Sequence, residues 1–176
     1  MKIFLKIIPQ MLLGVVAYVF FKGINVTSEE LPSTLINKPF PSFNKPLLEN
    51  INETVNEKIF LGHMSLLNVF ASWCVYCAIE HSMLIAIAND GVIIYGLDYK
   101  DDRKSAIAYL KRNGNPYKKV IFDDTNSLAI DLGVYGTPET YVVNEKGIIV
   151  YRYTGVITKS VWSKRLAKFF EKKCKR

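Results

Sequence analysis

A chain of 176 residues and 20.1 kDa has room for one globular domain and little else, and 49% apolar content excludes both a disordered chain and a multi-span membrane protein. The net charge of +7 sits at the two ends: Lys2, Lys6 and Lys22 give +3 before residue 27, residues 164–176 give +6, and the body between carries 13 basic and 15 acidic residues. That distribution argues against a nucleic-acid-binding face, and no nucleic-acid partner is expected.

Residues 7–21, IIPQMLLGVVAYVFF, form an apolar run between Lys6 and Lys22. The run is short of the roughly 20 residues a span needs. Neighbouring apolar residues extend it, giving a bilayer contact over 3–24, and the flanking lysines can snorkel. Val19-Phe20-Phe21-Lys22 is bulky where a signal peptidase requires small residues, so residues 1–26 read as an uncleaved signal-anchor. Lys2 and Lys6 before the run, with Glu29 and Glu30 after it, place the N-terminus in the cytoplasm. The body then faces the periplasm, as in a single-pass protein of a bacterial inner membrane.

Pro32, Pro39, Pro41 and Pro46 predict an extended linker, residues 27–38, that feeds a short N-terminal hairpin of a domain spanning 39–172. LLNVFAS, 66–72, predicts a buried strand. A helix runs from Cys74 to about Asn89, with Met83, Leu84 and Ile87 at helical spacing, and stops at Asn89-Asp90-Gly91. A strand over 92–97, an amphipathic helix over 103–112 with Ile107 and Leu110 inward, a strand over 120–122 and a helix over 126–132 ended by Gly133 follow. Strands 140–143 and 148–153 flank the turn Asn144-Glu145-Lys146-Gly147, and a last helix runs from Thr158 to about Lys172. Residues 173–176 form a basic tail whose Cys174 reads as an unpaired thiol. Alternating strands and helices closed by a hairpin predict a three-layer α/β/α sandwich.

The chemistry concentrates in Trp73-Cys74-Val75-Tyr76-Cys77, where a buried strand gives way to a helix. Free N–H groups and the helix dipole there stabilise a thiolate on Cys74, and two intervening residues bring Cys77 within disulfide reach. Cys74 can attack a disulfide and Cys77 can resolve the mixed disulfide. A zinc site lacks a second cysteine pair, and His81 would complete only three ligands. Copper delivery through the pair plus His63 or His81 has no supporting motif. Ala78 after Cys77 excludes covalent haem attachment. No metal and no cofactor beyond a redox-active Cys74–Cys77 disulfide are expected. The second candidate site is GVYGTPET, 133–140. A proline at a strand entrance is usually an ordinary turn, since cis bonds are rare, but next to a cysteine pair a cis Thr137–Pro138 bond is the expectation. It would offer backbone groups to an extended peptide.

LLNVFASWCVYCAIEH, GLDYKDDRKSAIAYLKRNGNPY and DLGVYGTPETYVVNEKGIIVYRYTG resemble the membrane-anchored thioredoxin-like family of cytochrome c maturation, the DsbE/CcmG type. The likeness covers about 35–157 and includes INKPFPSF. It implies a thioredoxin fold with an added N-terminal hairpin and a central insert. It implies a reductant of apocytochrome c, whose C-x-x-C-H thiols must be reduced before haem attachment. Electrons would come from a membrane thiol transporter of the DsbD/CcdA kind, and the haem-ligation machinery is a further possible partner. The alternatives are a general envelope reductase or oxidant, and a chaperone that holds apocytochrome c without redox chemistry.

Glu80, three residues after Cys77, occupies the position where the family carries an acid that tunes the cysteines; it can relay a proton from Cys77 or be a solvated helix-face Glu. Asn68 stands where ordinary thioredoxins carry a buried Asp, which leaves Glu80 or Glu139 as the base. Glu139 either faces the groove or caps the strand. Trp73 packs beside the disulfide or in the core, and Tyr76 is expected to touch substrate, as are Thr137 and Pro138. Val75 departs from the family's usual proline after the first cysteine, a residue that rigidifies a helix start.

Overall fold

The computed structural model describes residues 11, 13–16, 18, 20 and 35–170, and the chain divides into two units, Met1–Leu31 and Pro32–Arg176. In the first unit the described residues are helical and exposed. The remainder of the expected signal-anchor lies outside the described residues, as does the basic tail. Among the described residues no helix is long and apolar enough to cross a membrane.

Among its described residues the second unit has seven strands: β1 (Asn44–Pro46), β2 (Thr54–Asn56), β3 (Ser65–Phe70), β4 (Ile93–Asp98), β5 (Lys119–Phe122), β6 (Glu139–Val143) and β7 (Ile149–Thr154). Helices α1 (Val75–Asn89), α2 (Arg103–Asn113) and α3 (Ser127–Asp131) alternate with the core strands. β1 and β2 form the expected N-terminal hairpin, with Lys45 opposite Val55. The remaining strands make one sheet in the order β5-β4-β3-β6-β7. β3 runs parallel to β4 and antiparallel to β6, with Asn68 opposite both Gly96 and Thr140. β5 and α3 intervene between the first βαβα unit and the closing ββ pair, and β5 extends the sheet beyond β4.

Side chains alternate across the sheet. Leu66, Phe70, Ile94, Val120 and Val142 pack against Leu84 and Ile87 of α1 and Ala106, Tyr109 and Leu110 of α2. Leu67, Val69, Leu97, Ile121 and Tyr141 pack against Leu128 and Ala129 of α3 and against Phe60. Each such burial contributes about 1.5–3 kcal/mol, which is why β3, covered on both faces, is apolar at nearly every position. Ser65, at its start, and Asn68 are the polar residues, and Asn68 falls on the α1 face between Leu66 and Phe70.

Helix starts follow the capping residues. The Asp102 carboxylate accepts from Ser105 N–H and Thr158 Oγ1 from Val161 N–H. Gly114, at φ 88°, ends α2. The last helix is not the single α-helix expected from Thr158. A short α-turn, Lys159–Val161, widens into a π-type stretch, Trp162–Leu166, and tightens again over Ala167–Phe169. The widened turn brings Leu166 into the core while Lys164, Arg165 and Lys168 stay exposed.

The domain begins before the expected boundary at residue 39. Asn37 N–H donates to the Ile149 carbonyl at 2.8 Å and Ile149 N–H to the Lys38 carbonyl at 3.0 Å. Farther on, Leu48 N–H donates to the Val120 carbonyl at 2.9 Å.

Candidate active site

β3 ends at Phe70, the chain turns through Ala71-Ser72-Trp73, and Cys74 becomes the N-cap of α1. Its Sγ accepts from Cys77 N–H at 3.1 Å. Cys74 and Cys77 are joined in a disulfide with their Cα atoms 5.2 Å apart. Both cysteines are nearly buried, while Trp73, Val75, Tyr76 and Ile79 around them are exposed. Trp73 is 57% exposed and its indole N–H donates to the Lys100 carbonyl at 2.9 Å, so it lies over the surface loop and not in the core. Tyr76 is 63% exposed.

The loop before β6 reaches the same end of the sheet, because Val69 of β3 pairs with Glu139. The Thr137–Pro138 peptide bond is cis. Pro138 is buried, Thr137 half-buried, and Tyr135 two residues earlier is exposed.

Beneath the disulfide lies a buried polar network. α1 buries Cys77, Glu80, His81, Leu84 and Ile87, a stripe at helical spacing that includes Glu80 at 1% exposure. Asn68 Nδ2 donates to Glu80 Oε1 at 2.8 Å and to Thr140 Oγ1 at 3.1 Å. Ile157 N–H donates to Glu80 Oε2 at 2.7 Å. Tyr117 hydroxyl donates to Asn68 Oδ1 at 2.8 Å, which turns the amide's N–H groups toward Glu80. Burial pushes the Glu80 carboxyl from 4.5 up to about 7, against the lowering effect of its bonds from Ile157 and Asn68. Glu80 therefore exchanges its proton near neutral pH, one helical turn beyond Cys77. The solvated reading of Glu80 does not hold. Local sequence assigns no role to Tyr117, and Thr140 stands only as the last residue of GVYGTPET. A buried Asn on an apolar strand face was the signal that such partners exist.

Glu139 neither faces the groove nor caps the strand. It is fully buried on the sheet face shared with Tyr141, away from α1. Its Oε2 accepts from Arg152 Nη2 at 2.7 Å and Tyr141 hydroxyl at 3.0 Å, and its Oε1 from Tyr135 N–H at 3.2 Å. Arg152 also donates to the Gly133 carbonyl at 2.9 Å and lies over the Tyr135 ring. The pair fastens the loop that carries Thr137 and Pro138.

His81 is buried, with Nε2 2.9 Å from the Gly114 carbonyl and its ring edge-on to Tyr109. His63 Nε2 lies 3.1 Å from the Tyr95 hydroxyl. Among the described residues no group of three His, Cys, Asp or Glu side chains could hold a metal ion.

A cysteine pair capping a helix at the end of the central strand, with a cis-proline loop at the same sheet end, defines a thioredoxin-like thiol:disulfide oxidoreductase. Residues 35–166 match the Redoxin family. The chain is 41% identical over 167 residues to the thiol:disulfide interchange protein DsbE of Pseudomonas fluorescens biotype C, covering 95% of this chain and 93% of that protein. It is 41% identical over 143 residues to DsbE of Escherichia coli K12, covering 81% and 77%. The secreted thiol-disulfide isomerase of Corynebacterium glutamicum shares the fold, with a TM-score of 0.63 at 23% identity over 73% of this chain and 83% of that one. The chain belongs to the DsbE/CcmG family of thiol:disulfide interchange proteins.

Proposed function

We propose that this oxidoreductase is anchored by residues 1–26 in a bacterial inner membrane, faces the periplasm, and reduces the C-x-x-C-H disulfide of apocytochrome c. Cys74, as thiolate at the helix start, attacks one substrate sulfur and forms a mixed disulfide, releasing the other substrate sulfur as a thiolate. Cys77 passes its proton to Glu80 and attacks the Cys74 sulfur. The first substrate thiol leaves, the Cys74–Cys77 disulfide forms, and the two substrate thiolates take up protons, one of them from Glu80. A membrane thiol transporter of the DsbD/CcdA type returns two electrons to the pair.

The observation that carries this reading is the buried Glu80, held by Asn68 and Ile157 and protonating near neutral pH one turn from Cys77. The exposed Trp73, Tyr76 and Tyr135, with the backbone at Thr137–Pro138, supply an apolar platform for an extended peptide. Cys77→Ser should accumulate a mixed disulfide through Cys74 whose partner, identified by mass spectrometry, is a C-x-x-C-H peptide. Recovery of only unrelated envelope proteins would sink the cytochrome assignment. The apolar platform also suits a non-redox holder of apocytochrome c. On that reading Cys74→Ser leaves cytochrome c formation intact, and on ours it abolishes it.

A further inference from the structure

Asp98 closes β4 opposite Phe70 and is 1% exposed. Neither of its carboxyl oxygens receives a hydrogen bond from an N–H or O–H group. The side chains that face it supply no positive charge. Asp101, in the loop leading to α2, lies within hydrogen-bonding reach, and Asp102 beside it adds a second like charge. Tyr117, from the loop before β5, senses the Asp98 charge from across the core and is itself held neutral by burial. Arg103, at the start of α2, forms no ion pair among the described residues, and its Nε has no partner. From β3 the neighbour is the Phe70 ring.

Asp101 is placed differently. Ser72 N–H and Ser72 hydroxyl both donate to its carboxylate, as does Asp102 N–H at 2.8 Å. Three donors suit a charged carboxylate, whereas a buried carboxyl with no donor and a carboxylate neighbour suits the neutral acid. Burial, followed by the Asp101 charge and its hydrogen bond, pushes Asp98 from 3.8 up to about 8. Ser72 opens the turn that delivers Cys74, and Cys74 N–H donates back to the Ala71 carbonyl at 3.2 Å.

We propose that Asp98 is a positioning residue for thiol–disulfide exchange: as a neutral acid it donates a hydrogen bond to Asp101, and Asp101 in turn holds the Ser72–Trp73 turn that presents Cys74. The inference rests on exchange at Cys74 and not on which protein supplies the substrate disulfide. The pair shares no hydrogen bond with the Glu80 network beneath Cys77, although Tyr117 feels the charge of both Glu80 and Asp98. It couples the shape of the cysteine turn to a proton held at the adjoining end of the neighbouring strand.

The test compares the full-length protein with Asp98→Asn and Asp98→Leu, reading the rate of exchange with a small disulfide-bonded peptide from pH 6 to 9.5. An asparagine amide donates to Asp101 as the acid does, whereas leucine does not. At pH 7 Asp98→Leu should fall about tenfold and Asp98→Asn should restore the rate to within about threefold. One pH unit above 8 leaves roughly a tenth of Asp98 protonated, so at pH 9 Asp98→Asn should outrun the wild type about tenfold. Infrared spectroscopy of Glu80→Gln, in which the other neutral carboxyl is gone, should show a protonated-carboxyl band at pH 7. Asparagine and leucine variants that fall together, a wild type and Asp98→Asn with the same profile above pH 8, or no such band in Glu80→Gln would each overturn the proposal.

Discussion

Glu80 makes the stability of this domain fall as pH rises through neutrality, and Glu80→Gln should remove that fall. A carboxyl lifted from 4.5 to about 7 keeps its proton in the folded state while the unfolded chain has already released it. Between those values the folded form binds more protons, so stability is greatest below about pH 4.5 and is lost steadily up to about pH 7. At about 1.4 kcal/mol per pH unit the loss amounts to about 3 kcal/mol, a large share of the 5–15 kcal/mol that holds a domain together. Glutamine keeps the shape but accepts through one oxygen only. Either Asn68 Nδ2 or Ile157 N–H then meets an amide donor, which costs about 1–3 kcal/mol. The variant should therefore be less stable than wild type at pH 5 and draw level by pH 8. The assay is denaturant unfolding of the oxidised full-length protein in mild detergent at several pH values. The disulfide-bonded cysteines do not titrate there, and Asp98 contributes equally to both proteins and cancels. Parallel pH profiles for wild type and Glu80→Gln would refute the reasoning.

Two further changes address the surroundings of the site. Val75→Pro should be tolerated and should raise stability by up to about 1 kcal/mol, since the first helical position needs no N–H and Cys74, at φ −82° and ψ 110°, already has the conformation that precedes proline. Thermal unfolding of the oxidised protein checks this, and a loss of more than about 1 kcal/mol would contradict it. Arg152→Met should cost about 3–5 kcal/mol, because it strands the buried Glu139 carboxylate with only Tyr135 N–H and Tyr141 hydroxyl. A shift below about 1 kcal/mol in the denaturant midpoint would show that the pair bears no such weight.

Local signals carried most of the core fold into the sequence. Apolar alternation, Thr158 at the start of the last helix and Gly133 as a stop are short-range features, and each marks an element where one stands. The cysteine pair was legible for the same reason, since its strand-to-helix setting is contained in a dozen residues. Partnerships between distant residues were not. Nothing near Glu139 announces Arg152, and nothing near Asn68 announces Tyr117, because those contacts exist only once the sheet has formed. Glu80 lies between these cases: its spacing from Cys77, Leu84 and Ile87 put it in the buried stripe, but its charge argued for solvent. The widened turn at Trp162–Leu166 left no local mark, because it answers the position of Leu166 against the sheet.

A sheet that presents backbone to passing peptides risks pairing with its own copies along any bare outer strand. Here one stretch of chain near the beginning of the domain guards both flanks, residues 37–39 lying along the start of β7 and Leu47–Leu48 along β5. Residues 37–39 join β7, the last strand, and so lock only after the whole sheet exists, whereas Leu47–Leu48 join β5, which precedes β6 and β7. The β7 flank is therefore the last to be covered, and the interval before its closure is when the chain is most exposed to aggregation.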